Sequence, residues 1–185
     1  MPYTKNTYSL PFNKKDLIKA ISHPRGAHQG HLKNAIDFAL PEGANIYASQ
    51  NGKVVLVKED SNEGGIDPKY NDDKYFNYIS IEHKNGEISE YMHLQHNSAK
   101  VKVGDKVKKG QLIALNGNTG FSTTPHLHFH VAKLDSEKYP EIGWETLEIK
   151  FDEEEKNIEV DKTDYPVPEE QKKALEELER MRKQN

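Results

Sequence analysis

The sequence predicts a mainly β fold, an all-β sandwich or barrel, with a C-terminal helix appended. Three observations lead there. Short β-branched and aromatic runs recur between turn signals. An Asn85-Gly86 pair sits between two such runs, and both residues tolerate positive φ. The composition turns polar and charged past Asp135. At 185 residues the chain suits one compact core better than two.

The elements follow in order. Residues 35–40 alternate, with Ala35, Asp37 and Ala39 on one side and Ile36, Phe38 and Leu40 on the other. A short run at 45–48 precedes the turn at Asn51-Gly52, and 53–58 is β-branched and apolar. Residues 78–82 and 87–91 flank the Asn-Gly turn as a hairpin. Runs at 100–103, 111–115 and 126–131 complete the set, and 146–151 adds an edge strand. Residues 60–74 are polar and turn-rich, which reads as a long surface loop; a solvated excursion suits it better than a cation site.

One β-rich domain therefore covers 1–150, and 151–185 forms a charged linker and a helix over 168–183. Pro168, Glu169 and Glu170 suit its start, and Leu175, Leu178 and Met181 share a face.

Composition removes several classes. Lys+Arg 26 against Asp+Glu 30 gives a net charge of -4, so no nucleic-acid partner is expected. Cysteine is absent, which excludes disulfides, thiol catalysis and cysteine-bound metal. No apolar stretch reaches the roughly 20 residues of a membrane helix. The N-terminal ten residues are polar and carry no export signal, so the chain reads as soluble with its compartment undetermined, cell envelope or extracellular if a signal was removed.

Histidine carries the functional signal, with nine in the chain. In Pro125-His-Leu-His-Phe-His-Val131, strand alternation puts His126, His128 and His130 on one face, about 7 Å apart at a rise of roughly 3.3 Å per residue. Leu127, Phe129 and Val131 take the core face. Asp37 interrupts an apolar strand between two small alanines, and a carboxylate there needs a partner or an ion. His23, His28 and His31 precede it in a loop, His93 ends a strand beside Tyr91, and His83 and His96 read as solvated. His28 or His31, Asp37 and one of the late histidines supply two imidazoles and a carboxylate. That is a catalytic-type zinc set with an open position, although iron also uses such a triad.

The ordered series resembles the lysostaphin-like (LytM-type) zinc endopeptidases. It runs from His28 through Ala35-Ile-Asp-Phe-Ala-Leu-Pro-Glu-Gly43, Tyr91-Met-His-Leu94 and Gly117-Asn-Thr-Gly120 to Pro125-His-Leu-His128. The resemblance implies a barrel-sandwich hybrid, or duplicated hybrid motif, core. It also implies zinc held by His28, Asp37 and His128, with His93 and His126 catalytic, and peptide bonds of peptidoglycan stems or cross-bridges as substrate. Lys33 breaks the commoner spacing before Asp37, so His28 in His28-Gln-Gly30 is chosen, with His31 as the fallback. His130 stands where the family often has glutamate, and Thr124 where it usually has glycine. Two other readings are a catalytically silent metal-binding or adaptor domain, and a biotinyl- or lipoyl-type carrier suggested by 103–113. The carrier lacks a lysine beside Met92.

Overall fold

A computed structural model describes residues 3–23, 27–138, 141, 143–155 and 157–162. Thirteen strands dominate the described residues: β1 (Lys19–Ile21), β2 (Ile36–Ala39), β3 (Asn45–Tyr47), β4 (Gly52–Lys58), β5 (Gly64–Gly65), β6 (Tyr78–Glu82), β7 (Ile88–Met92), β8 (Lys106–Val107), β9 (Leu112–Leu115), β10 (Gly120–Phe121), β11 (His126–Leu134), β12 (Trp144–Thr146) and β13 (Val160–Asp161). Nine of them form one sheet in the order β13-β1-β2-β11-β7-β6-β4-β8, with β12 continuing beside β11. The fold is mainly β, as expected, and this sheet is open rather than closed on itself. The helix expected over 168–183 lies outside the described residues.

The core lies between the large sheet and the β3–β9 ribbon. Phe38, Tyr91, Leu127, Phe129 and Val131 from the sheet join Ile46, Ile113 and Ala114 from the ribbon in one buried cluster. Period-two alternation produces it: Leu127, Phe129 and Val131 leave one face of β11 while the histidines leave the other. The Asn-Gly hairpin forms as expected, with φ of 70° at Asn85 and 69° at Gly86.

Three features differ from the sequence expectation. Tyr8, Leu10 and Phe12, spaced two apart in a segment assigned to no strand from the sequence, are buried in the core. The segment is pinned by the buried Glu87 carboxylate, which accepts from the Lys5 and Asn6 amides and, at 2.9 Å, from the Tyr8 hydroxyl. Residues 100–103 form no strand, and 144–146 rather than 146–151 pair with β11. Residues 152–162, expected as a linker, lie against the same body: the Lys109 ammonium meets Asp152 at 2.5 Å, Glu155 accepts from the Leu10 amide at 2.6 Å, and β13 pairs in parallel with β1.

The 60–74 loop is surface-exposed for most of its length. Asp67 and Asp72 each cap a short 3-10 turn by accepting from an amide two residues on. Gly64–Gly65 pair with Gly120–Phe121, and the Asn77 amide group donates to the Ser61 and Leu94 carbonyls, so the loop is tied beside the end of β7.

Candidate metal and catalytic site

Strand register builds the site. Asp37 on β2 pairs with His128 on β11, and His128 pairs on its other side with Met92 on β7. Paired residues share a face, so Asp37 and His128 stand side by side on the sheet surface away from the core. His128 Nδ1 lies 3.0 Å from Asp37 Oδ1. His28 reaches the same point from the loop before β2. Its Nε2 lies 3.3 Å from Asp37 Oδ1 and 3.2 Å from His128 Nδ1, and the ring is buried. These three groups are one candidate ion-binding cluster among the described residues. His31 instead packs edge-on against Trp144, ring centroids 4.7 Å apart. His23, which the sequence left unassigned, brings Nε2 to 3.5 Å from Asp37 Oδ2.

The donor set fits a zinc ion. Tetrahedral ligands at roughly 2.0–2.1 Å from a common centre stand about 3.3 Å from one another. The three observed separations are 3.0, 3.2 and 3.3 Å. The donor atoms are two imidazole nitrogens and one carboxylate oxygen, a combination suited to Zn²⁺ rather than to Ca²⁺ or Mg²⁺.

His93 breaks the alternation of β7. Continued regularly, it would share the core-facing side of Tyr91, as the sequence suggested. Its φ of 64° ends the strand and carries the ring to the site, 4.4 Å from the His126 ring and 6.2 Å from His128. His93 Nδ1–H donates to the Thr119 carbonyl at 2.6 Å, since a carbonyl can only accept. The same logic applies at His126, whose Nδ1–H donates to the Thr124 carbonyl at 2.8 Å. Proton exchange at each ring is thereby left to its Nε2. That of His126 lies 3.9 Å from Asp37 Oδ1.

Electrostatics matches this assignment. Burial alone would push the Asp37 carboxyl up, but His126, His128 and His28 outweigh it and hold the group well below the usual carboxylate range. Burial pushes the His93 imidazole well below its ordinary value, helped by His126 and His128 and opposed by the Thr119 carbonyl and Asp37. Burial lowers His128 as well, against the pull of Asp37. His130 is buried, driven well below its ordinary value by burial and then by His128, and stacked on Trp144. His83, expected in solvent, is buried: its ring nitrogens meet the Asn51 carbonyl at 2.9 Å and Ser89 Oγ at 2.7 Å. His96 is exposed.

An imidazole–carboxylate cluster on an open β-sheet, flanked by two further imidazoles, is a candidate metal centre of the kind metallohydrolases use. Residues 31–140 match Peptidase family M23, and the chain belongs to that family. It is 35% identical over 140 residues to the peptidoglycan DD-endopeptidase ShyA of Vibrio cholerae, across 70% of this chain and 29% of that protein. It is 36% identical over 108 residues to lysostaphin of Staphylococcus simulans, across 58% of this chain and 19% of that protein. The chain thus spans under a third of the length of these relatives. The solved structure of the antimicrobial peptidase lysostaphin from Staphylococcus simulans superposes with a TM-score of 0.50 at 28% identity, covering 73% of this chain and 50% of that one. No helix among the described residues is long and apolar enough to cross a membrane.

Proposed function

We propose that this chain is a zinc-dependent endopeptidase that hydrolyses peptide bonds in peptidoglycan stems or cross-bridges, in the cell envelope. The observation that carries the reading is the convergence of His28 Nε2, Asp37 Oδ1 and His128 Nδ1 to within 3.3 Å of one another, beside two imidazoles whose Nδ1 atoms are held by backbone carbonyls. The names of the relatives, peptidoglycan endopeptidases, support the substrate class.

His28, Asp37 and His128 would hold the ion. Bound there, zinc supplies Lewis acidity and lowers the pKa of a water toward about 7. His93 and His126 handle the protons. One Nε2 takes the proton from the attacking water, and the other donates to the developing oxyanion or returns a proton to the leaving amine. The Thr119 and Thr124 carbonyls hold both Nδ1 protons, so each ring works through Nε2: bare in the histidine that acts as base, protonated, as an imidazolium, in the one that donates. Burial holds His93 neutral, which keeps it a base at neutral pH.

The test is cleavage of purified cell-wall sacculi by the zinc-loaded chain, followed by mass spectrometry of the soluble fragments. New free amino termini at stem or cross-bridge bonds, abolished by a chelator and restored by zinc, are expected. Zinc binding without any cleavage would instead identify a silent metal-binding or adaptor domain.

A further inference from the structure

His130 is a buried histidine that the proposed reaction does not use. It lies two residues beyond His128 on β11, on the same face. The two rings meet at 3.2 Å between His128 Nε2 and His130 Nδ1. His130 in turn stacks on Trp144, centroids 5.2 Å apart and planes inclined by only 9°. Trp144 is held opposite Leu134 by the β11–β12 ladder and receives the edge of His31. The Thr146 hydroxyl donates to the His31 carbonyl at 2.8 Å, which ties that loop to β12.

The geometry has a tautomeric consequence. His128 presents Nδ1 toward Asp37 and His28, so ligation through Nδ1 requires the ring proton on Nε2. That proton points at His130 Nδ1, which must then be the acceptor, with its own proton on Nε2. Metal-binding imidazoles are commonly oriented by a hydrogen bond from their second nitrogen to a carboxylate, carbonyl or water. Here a neutral imidazole, itself clamped by an aromatic stack, occupies that position.

We propose that His130 is a positioning residue: it fixes His128 in the tautomer and orientation that ligation through Nδ1 demands, while Trp144 fixes His130. This rests on the metal reading above and concerns a residue outside the ligand cluster.

The experiment uses the full chain and zinc alone, with affinity measured by competition against a chromophoric chelator. His130→Phe keeps a flat ring on Trp144 but removes the acceptor. His130→Asn restores an acceptor near the place of Nδ1. The Phe variant is expected to bind zinc about 10- to 100-fold more weakly, and the Asn variant to recover most of that loss. Equal affinity of the Phe variant and the wild type would overturn the proposal. So would equal weakening of both variants, which marks packing rather than hydrogen bonding. A second measurement needs no variant: nitrogen-15 NMR of the zinc-loaded wild type should show His128 protonated on Nε2 and His130 unprotonated on Nδ1. A proton on His130 Nδ1 would overturn it. Failure of the wild type itself to bind zinc would remove the metal reading and this inference together, an outcome distinct from a loss confined to the variants.

Discussion

Asp37 and His128 face each other across the β2–β11 ladder, with Oδ1 and Nδ1 3.0 Å apart. The pair lies on two adjacent strands of an antiparallel sheet, so backbone hydrogen bonding rather than side-chain packing sets its separation. His28 arrives from a loop and brings its Nε2 to 3.3 Å from Asp37 and 3.2 Å from His128.

Removing the carboxylate should therefore remove the ion. Asp37→Ala is expected to lower zinc affinity by more than the roughly 10- to 100-fold that loss of an outer hydrogen-bonding partner costs, and to abolish cleavage. Metal content after dialysis, measured by emission spectroscopy, checks this. Full zinc occupancy and full activity in the variant would show that Asp37 is not a ligand.

His93→Ala and His126→Ala should behave differently. Both rings lie beside the ligand cluster and present Nε2 atoms without belonging to it. Each variant is expected to keep its zinc and to lose turnover by about 10²- to 10⁴-fold, the range of a general acid or base. Parallel zinc and rate measurements separate the roles. Loss of zinc in both would mean that ligand and proton-transfer roles had been exchanged.

Gly120 supports His93 through its neighbour. Its φ is 74°, and an added Cβ would fall 2.6 Å from the Phe76 ring. Phe76 in turn lies against the His93 ring, and Thr119 holds His93 Nδ1. Gly120→Ala should cost about 1–3 kcal/mol of stability through strain and reduce the rate more than the zinc content. Chemical denaturation and kinetics together check this; an unchanged rate would disconnect the 117–121 turn from His93.

Stability should fall in acid. His83, His93, His128 and His130 all have pKa values depressed on folding, chiefly by burial. Below about 6.5 the unfolded chain takes up protons that the folded chain refuses, so folding loses free energy as pH drops through that value. The depressed Asp37 carboxyl acts in the same direction lower down: its contribution is present above its unfolded value of 3.8 and is lost as pH falls through its folded one. Metal-free protein is expected to melt progressively lower from pH 7 to pH 5. A flat profile would contradict the burial of these rings.

Much of the site is written in local sequence geometry. The β11 alternation and the isolated Asp37 declare themselves because strand geometry has period two, and a carboxylate inside an apolar strand needs a partner. His93 reads from sequence as a strand-end histidine, but its reach into the site depends on one left-handed residue that no hydrophobic pattern encodes. The choice between His28 and His31 depended on the resemblance, because a loop has no periodicity to fix which ring turns inward. His23 beside Asp37 and Trp144 over His130 are long-range contacts that local pattern does not carry, whereas the period-two spacing of Tyr8, Leu10 and Phe12 is a local signal of their burial.

The most direct test is anomalous diffraction at the zinc edge from crystals of the zinc-loaded protein. One peak is predicted within bonding reach of His28 Nε2, Asp37 Oδ1 and His128 Nδ1, at the roughly 2.0–2.2 Å expected of zinc. A peak coordinated by His31 or His130 in place of these ligands, or none near Asp37, would contradict the account.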